Sequence, residues 1–264
     1  MGFATVEGRN IHYSYPQEAE MGVNKGRTVL LVHGAYDSLN VWSAQYHFLE
    51  REHTPIMLDL PGHGLSGGES LKSIEDMADW VIQALDAAGQ ESTIVVGHSM
   101  GSLVAFDVAA RYPDRVTSLA MVGTSMPMPV GNLLLDNAEK DNHLAKEMIN
   151  YWSHSPSAHL GGSQVPGTWM LGKLIRLLER SGPGVIYNDL LACEKYTEGL
   201  SRSKNIQMPT LLILGEDDFM TPIKDAKVLA ESIPNSRTIL IPNCGHAIVS
   251  EAPNDMLDAL ATLI

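Results

Sequence analysis

The sequence predicts an α/β protein: a mostly parallel, doubly wound sheet with an N-terminal antiparallel hairpin and a helical cap insertion. Three observations carry this. Short β-branched and apolar runs alternate with longer amphipathic stretches, the pattern of a parallel sheet covered on both faces. One stretch, "VVGHSMGS" (95–102), sets G-x-S-x-G between such a run and a helical segment. The alternation then stops between about 125 and 205, where helical patterns have no strand among them.

Each element follows in order. "ATVEGRNIHYSY" (4–15) alternates around "EGRN" and reads as the hairpin. Strands are expected at "TVLLVHG" (28–34), "TPIMLDLPG" (54–62), "STIVVGH" (92–98), "VTSLAMVG" (116–123), "PTLLILGEDD" (209–218) and "SRTILIPNCGH" (236–246). Helices are expected at 73–89, where Ile74, Met77, Val81 and Leu85 share a face, and after Ser99, where Leu103, Phe106 and Ala110 do and Pro113 ends the run. A third lies at 222–234, and a short one closes the chain. The interruption holds "LLLDNAEKDNHLAKEMINYW" and "GTWMLGKLIRLLERSG", the latter with a stripe of Leu171, Leu174, Ile175 and Leu178. Because both faces of the sheet are already covered, this insertion must project from one end. Residues 1–125 and 205–264 are therefore read as the core and 126–204 as a cap.

Composition narrows the class. The 264 residues carry 18 basic against 31 acidic side chains, a net charge of −13, which argues against nucleic acid or an anionic membrane as partner. "MGFATVEGRN" has neither the basic nor the apolar region of a signal peptide, and Val6 breaks a myristoylation pattern. No apolar run approaches membrane-spanning length. The two cysteines, Cys193 and Cys244, fit a reduced cytoplasmic setting as small buried hydrophobes.

The serine motif has a mechanical meaning. In a tight strand-to-helix turn, Gly97 and Gly101 leave room for neighbouring backbone while Ser99 is held clear. Catalytic groups in such a sheet belong at the carboxyl ends of the strands, and those ends carry "VHGAYD", "DLPGHG", "GHSMG", "GEDD" and "NCGH". A serine needs a base to attack near neutral pH, an imidazole base needs an acceptor to fix its tautomer, and a developing oxyanion needs aimed N–H donors. The chain order is Ser99, then Asp217 or Asp218, then His246.

Here the sequence resembles the α/β-hydrolase superfamily, whose triad runs Ser, acid, His. "HGAYDSLNVW", "LDLPGHGLS", "GHSMGS", "LILGEDDFMTP" and "IPNCGHAIVSEAP" match it in order across nearly the whole chain. The resemblance implies a cofactor-free serine hydrolase with a lid, acting most often on carboxylic esters. It makes Ser99 the nucleophile and His246 the base. Family spacing from Gly215 and from Pro222 selects Asp218 as the acid, and it makes the backbone N–H groups of Ala35 and Met100 the oxyanion donors. "GTSMP" offers no carboxylate for the branch whose acid follows the strand ending near Gly123.

Other residues receive plainer roles. His33, His63 and His98 sit at strand ends without zinc-ligand spacing and are read as structural, so no metal is expected. Asp59 is read as bracing the "PGHG" loop and Asp217 as a turn or solvent residue. Tyr36, His98, Met126, Trp152, Trp169 and Phe219 are the candidate lining of the substrate pocket, with Met128 and Met170 beside them.

The expected activity is a cytoplasmic carboxylesterase for small or medium acyl esters, with a small-molecule ester as its partner. A serine nucleophile argues against dehalogenase and epoxide hydrolase chemistry, which uses Asp. "HGAYD" is neither an "HGGG" loop nor the "HGxGPG" of hydrolases that cleave carbon–carbon bonds in ring-cleavage products. Such a carbon–carbon bond hydrolase is one alternative. A small-molecule receptor or signalling protein on the same fold is the other, and ester turnover separates it from the enzyme readings. Acyl length and oligomeric state are not encoded in any motif.

Overall fold

The computed structural model describes residues 2–6, 8–16 and 25–264. Its sheet has eight strands: β1 (Gly2–Val6), β2 (Arg9–Ser14), β3 (Thr28–Val32), β4 (Thr54–Leu58), β5 (Thr93–His98), β6 (Val116–Val122), β7 (Thr210–Gly215) and β8 (Ser236–Ile241). The spatial order is β1-β2-β4-β3-β5-β6-β7-β8. The strands β4, β3, β5, β6, β7 and β8 pair in parallel, while β1 and β2 form the antiparallel hairpin that joins β4. Glu7, in the expected hairpin turn, lies outside the described residues.

Both faces of the sheet are buried, so successive strand residues feed different cores. Leu30, Val32, Val95, Leu119, Met121, Leu212 and Leu214 pack on α2 (Ile74–Ala87), α3 (Met100–Arg111) and α10 (Ile223–Ser232). Val29, Leu31, Ile94, Val96, Ala120, Val122, Leu211 and Ile213 pack on α1 (Ser43–Leu49) and α12 (Pro253–Ala261). Each fully buried aliphatic side chain is worth about 1.5–3 kcal/mol, so this two-sided burial fixes the strand register and where each strand ends.

Between β6 and β7 the chain forms α4 (Asn132–Glu139), α5 (His143–Trp152), α6 (Pro156–His159), α7 (Met170–Arg180), α8 (Val185–Lys195) and α9 (Gly199–Arg202). The helical pattern over 133–152 takes the form of two helices, α4 and α5, with Asp141 at φ 51° between them. The strands also stop short of the expected runs: the residues after Val32 and Leu58 leave the ladder and form the loops at the sheet's carboxyl edge. One further short helix, α11 (Ile248–Glu251), follows the last strand.

Candidate active site

Ser99 sits at the turn from β5 into α3 with φ 54° and ψ −123°, a conformation that side chains rarely adopt. Its amide donates to Val122 O at 2.9 Å, tying the turn to β6. A Cβ at Gly97 would overlap the Gly101 carbonyl, and one at Gly101 would overlap the carbonyls of Val32 and His33. The two glycines are therefore required by backbone packing on both sides of the serine, and β3, β5 and α3 meet at this one point.

His246 lies in the loop between β8 and α11, with its ring buried between Ser99 and Asp218. Its Nε2 is 2.8 Å from Ser99 Oγ and its Nδ1 is 2.8 Å from Asp218 Oδ2. A carboxylate only accepts, so Nδ1 carries the proton and Nε2 presents a lone pair to the serine hydroxyl. Asp218 itself is heavily solvated by the protein. Oδ1 accepts from the amides of Met220 (2.9 Å) and Thr221 (2.8 Å), and Oδ2 accepts from Thr221 Oγ1 at 2.6 Å. Burial opposes its charge, but His246 and the Thr221 donors outweigh burial and hold the carboxyl below its ordinary range. Asp217 is exposed, with only its amide tied to Cys244 O at 2.9 Å.

Two backbone amides border Ser99. Met100 opens α3, where the first amides have no acceptor within the helix and the helix end carries partial positive charge. Ala35 follows β3 in a loop whose peptide planes are pinned. His33 Nδ1 donates to Gly34 O at 2.7 Å, fixing the plane that carries the Ala35 N–H. His33 Nε2 accepts from Leu60 N at 3.1 Å, so the ring is neutral with one tautomer. Burial and the nearby His63 push its pKa down to about 4. His98 is likewise neutral: burial and His246 lower it to about 3, and its Nε2 donates to His246 O at 2.9 Å. Asp59 holds the same corner, accepting from Leu39 N (2.7 Å) and Leu65 N (2.9 Å) and pairing with His12 Nδ1 at 2.7 Å.

Ser99, His246, Ala35 and Tyr36 separate two cavities. One is walled by His98, Ser153, His154, Met170 and Lys173. The other is lined mostly by apolar side chains, with Met128, Leu134, Trp152, Leu190 and Phe219 among its walls. Tyr36, His98, Trp152 and Phe219 thus lie where a pocket lining is expected, and the Trp152 and Phe219 rings stand 6.0 Å apart. Met126 and Trp169 do not lie there. Met126 is buried against Gly199 and Tyr196, and Trp169 is 74% exposed beside Gly172. Each sits one or two residues from a methionine, Met128 or Met170, that does line a cavity. Among the described residues no group of three or more His, Cys, Asp or Glu is arranged to hold a metal ion.

Sequence reasoning missed the residues by which the inserted helices grip this site. Asp189 on α8 reaches Tyr36 and His63. Glu251, just beyond His246, accepts from Ser155 N with Oε1 at 3.3 Å and Oε2 at 3.2 Å, and Ala247 N donates to Ser153 O at 2.8 Å. The available signal for Asp189 was a lone acid on the apolar stripe Val185, Ile186, Asp189, Leu190, Cys193.

This fold, with a serine at the strand-to-helix turn bonded to a histidine, defines the class. The chain matches the model of the alpha/beta hydrolase fold over residues 27–253 and belongs to that family. It is 28% identical over 246 residues to a protein of Azorhizobium caulinodans provisionally named carbamate hydrolase RutD, covering 88% of this chain and 90% of that one. It is 24% identical over 242 residues to the (E)-2-((N-methylformamido)methylene)succinate hydrolase of Acinetobacter baylyi, covering 89% of each chain. A thermophilic esterase from Thermogutta terrifontis superposes with a TM-score of 0.86 at 22% identity, over 99% of this chain and 97% of that one. No helix among the described residues is long and apolar enough to cross a membrane.

Proposed function

We propose that this protein is a serine hydrolase that cleaves carboxylic esters of small or medium acyl chains through an acyl-enzyme. The observation that carries the reading is the continuous hydrogen-bonded line from Asp218 through His246 to Ser99 Oγ, with 2.8 Å at both links. Ser99 Oγ attacks the carbonyl carbon as its proton passes to His246 Nε2. The negative charge that develops on the carbonyl oxygen is met by the amides of Ala35 and Met100. His246 returns the proton to the leaving alcohol as the C–O bond breaks. A water then gives its proton to His246, attacks the acyl carbon and frees the acid, and Ser99 regains its proton. Asp218 stabilises the imidazolium at each stage. The helices between β6 and β7 serve as a cap over residues 126–204, and the apolar cavity takes the acyl chain. The small-molecule ester acts without cofactor, and the working compartment is the cytoplasm.

The names of two relatives favour a second reading, in which the same serine attacks a carbamate or an N-acyl bond. Hydrolysis of p-nitrophenyl butyrate against an aryl N-alkyl carbamate separates the two by kcat/KM. Ser99→Ala tests both. It should lower turnover by roughly 10⁴–10⁶ with an unchanged melting temperature, and fluorophosphonate labelling should vanish. A Ser99→Ala protein that still labels removes Ser99 from the chemistry.

A further inference from the structure

We propose that Asp189, supplied by inserted helix α8, is a positioning residue for the oxyanion loop: its carboxylate holds the Tyr36 amide and thereby sets the loop that carries the Ala35 N–H. This rests on the serine-hydrolase reading above. Asp189 is fully buried, and its Oδ2 receives two donors, Tyr36 N–H at 2.7 Å and His63 Nε2 at 2.7 Å. The Tyr36 N–H belongs to the peptide plane immediately after Ala35. His33 fixes the plane before Ala35 through Gly34 O at 2.7 Å. Ser181 Oγ, at the end of α7, donates to Tyr36 O at 3.2 Å and fixes the plane after Tyr36. Tyr36 itself is held at φ 54°, a backbone conformation that relaxes unless its surroundings over-determine it.

His63 completes the hold. Its Nδ1 faces Pro61 O at 3.0 Å and its Nε2 faces Asp189, so both ring nitrogens must donate and the ring is an imidazolium. Burial opposes this charge, but the Asp189 carboxylate outweighs burial and raises the His63 pKa. A buried ion pair thus bridges the "PGHG" loop of the core to the inserted helices, and the carboxylate oxygen that meets His63 also holds the oxyanion loop. The inserted helices therefore both wall the cavities and set a donor for the transition state. Loss of an interaction made only in the transition state lowers kcat and leaves KM in place.

Asp189→Ala is the discriminating variant: it removes the acceptor of the Tyr36 N–H and the counterion of His63 together, whereas an Asn amide oxygen at the Oδ2 position would keep the Tyr36 bond. The expected result is a fall of about 10–100-fold in kcat for p-nitrophenyl butyrate, smaller than the roughly 10²–10³ that removing an oxyanion donor outright costs, with KM within about twofold. Affinity for a trifluoromethyl ketone, whose bound form presents an oxyanion, should fall by a similar factor. Tyr196→Phe is the control for stability alone: it removes the 2.7 Å bond to Asp107 that ties α8's end to α3 and should lower the melting temperature with kcat unchanged. His63→Asn loosens the same carboxylate and should reproduce the kcat fall more weakly, and it decides the matter if Asp189→Ala does not fold. The proposal is overturned by a folded Asp189→Ala protein, or failing that a His63→Asn protein, with native kcat and ketone affinity. It is equally overturned if Tyr196→Phe loses as much kcat. Fluorophosphonate labelling of the unmodified protein at Ser99 keeps the two readings apart. Without it the serine-hydrolase reading falls, whereas labelling with an unaffected Asp189→Ala removes only this inference.

Discussion

The loops at the carboxyl edge of the sheet and the inserted helices meet at the same cavity but are built on different principles. The loops are fixed by neighbours close in sequence or by backbone contact. Gly97 and Gly101 pack against carbonyls, the Ser99 amide bonds β6, and Asp218 is wrapped by the amides of Met220 and Thr221. The inserted helices are attached by side chains that reach across 89 to 153 residues of chain: Asp189 to Tyr36 and His63, Glu251 to Ser155, Tyr196 to Asp107. They also carry many of the large exposed apolar side chains, including Tyr151, Leu160 and Trp169. Substitutions in the loops should change whether the reaction occurs. Substitutions in the helices should change which substrate is taken and how well the loops are held.

The largest expected effect lies in the loops. Asp218→Asn keeps size but removes the charge and permits the wrong imidazole tautomer, a change worth about 10⁴ in rate in the serine-protease case. A severe fall in kcat is expected. Asp217→Asn, one residue away and solvent-exposed, should cost less than about tenfold. Parallel kcat and thermal-unfolding measurements check the pair, and a crippled Asp217→Asn beside an active Asp218→Asn would move the acid by one residue. The lowered Asp218 pKa also has a stability sign. The charged form is favoured in the fold, so this stabilisation is present above the ordinary carboxylate range and is lost as pH falls through and below it.

In the segment between β6 and β7 the expected effect is selective. Met128 follows β6 and walls the apolar cavity. Met128→Trp shortens the space for an acyl chain without approaching the Asp218–His246–Ser99 line. Each methylene excluded from an apolar pocket is worth on the order of 1 kcal/mol or more. The ratio of kcat/KM for p-nitrophenyl octanoate to acetate should fall at least about tenfold, with the acetate value within about threefold. An unchanged chain-length profile would mean that this cavity does not receive the acyl group.

The same contrast explains what the sequence made legible. The hairpin, the parallel strands and the Ser99 turn depend on local patterns, period-two burial and glycine clearance, and the structure has them at the expected positions. The resemblance to the family singles out Ser99, Asp218 and His246, the residues alone leaving Asp217 and Asp218 open, and the three are joined by two links of 2.8 Å. The inserted segment gave only helix periodicity. Nothing local announced that Asp141 would separate two helices, that α8 would form at 185–195, or that Met128 and Met170 would face cavities while Met126 and Trp169 would not. Those outcomes depend on which side of each helix meets the sheet end, which is set by contacts distant in sequence.

The smallest expected effect lies at the seam between the two regions, at Asp37. This residue borders the cavity walled by His98 and Lys173, beside Tyr36, is 8% exposed, and has its Oδ1 bonded to Ser38 N at 2.8 Å. Burial raises its pKa from 3.8 to about 6, against the pull of the Ser38 amide and of Lys173 on α7. The sign is opposite to that of Asp218. A carboxyl whose folded pKa is raised contributes nothing adverse while protonated, below the unfolded value. It costs stability as pH rises through about 6, because the fold must then hold a poorly solvated charge. At about 1.4 kcal/mol per unit the full cost is up to roughly 3 kcal/mol, and relaxation of the loop reduces it toward 1. Asp37→Asn keeps the Ser38 bond through its amide oxygen and never ionises. It should therefore raise the midpoint of urea unfolding at pH 8, and the gain should shrink steadily toward pH 4. A gain of equal size at both pH values would place its origin in packing. A loss at pH 8 would mean that the Asp37 charge is held by Lys173 and that the seam is tied by that ion pair.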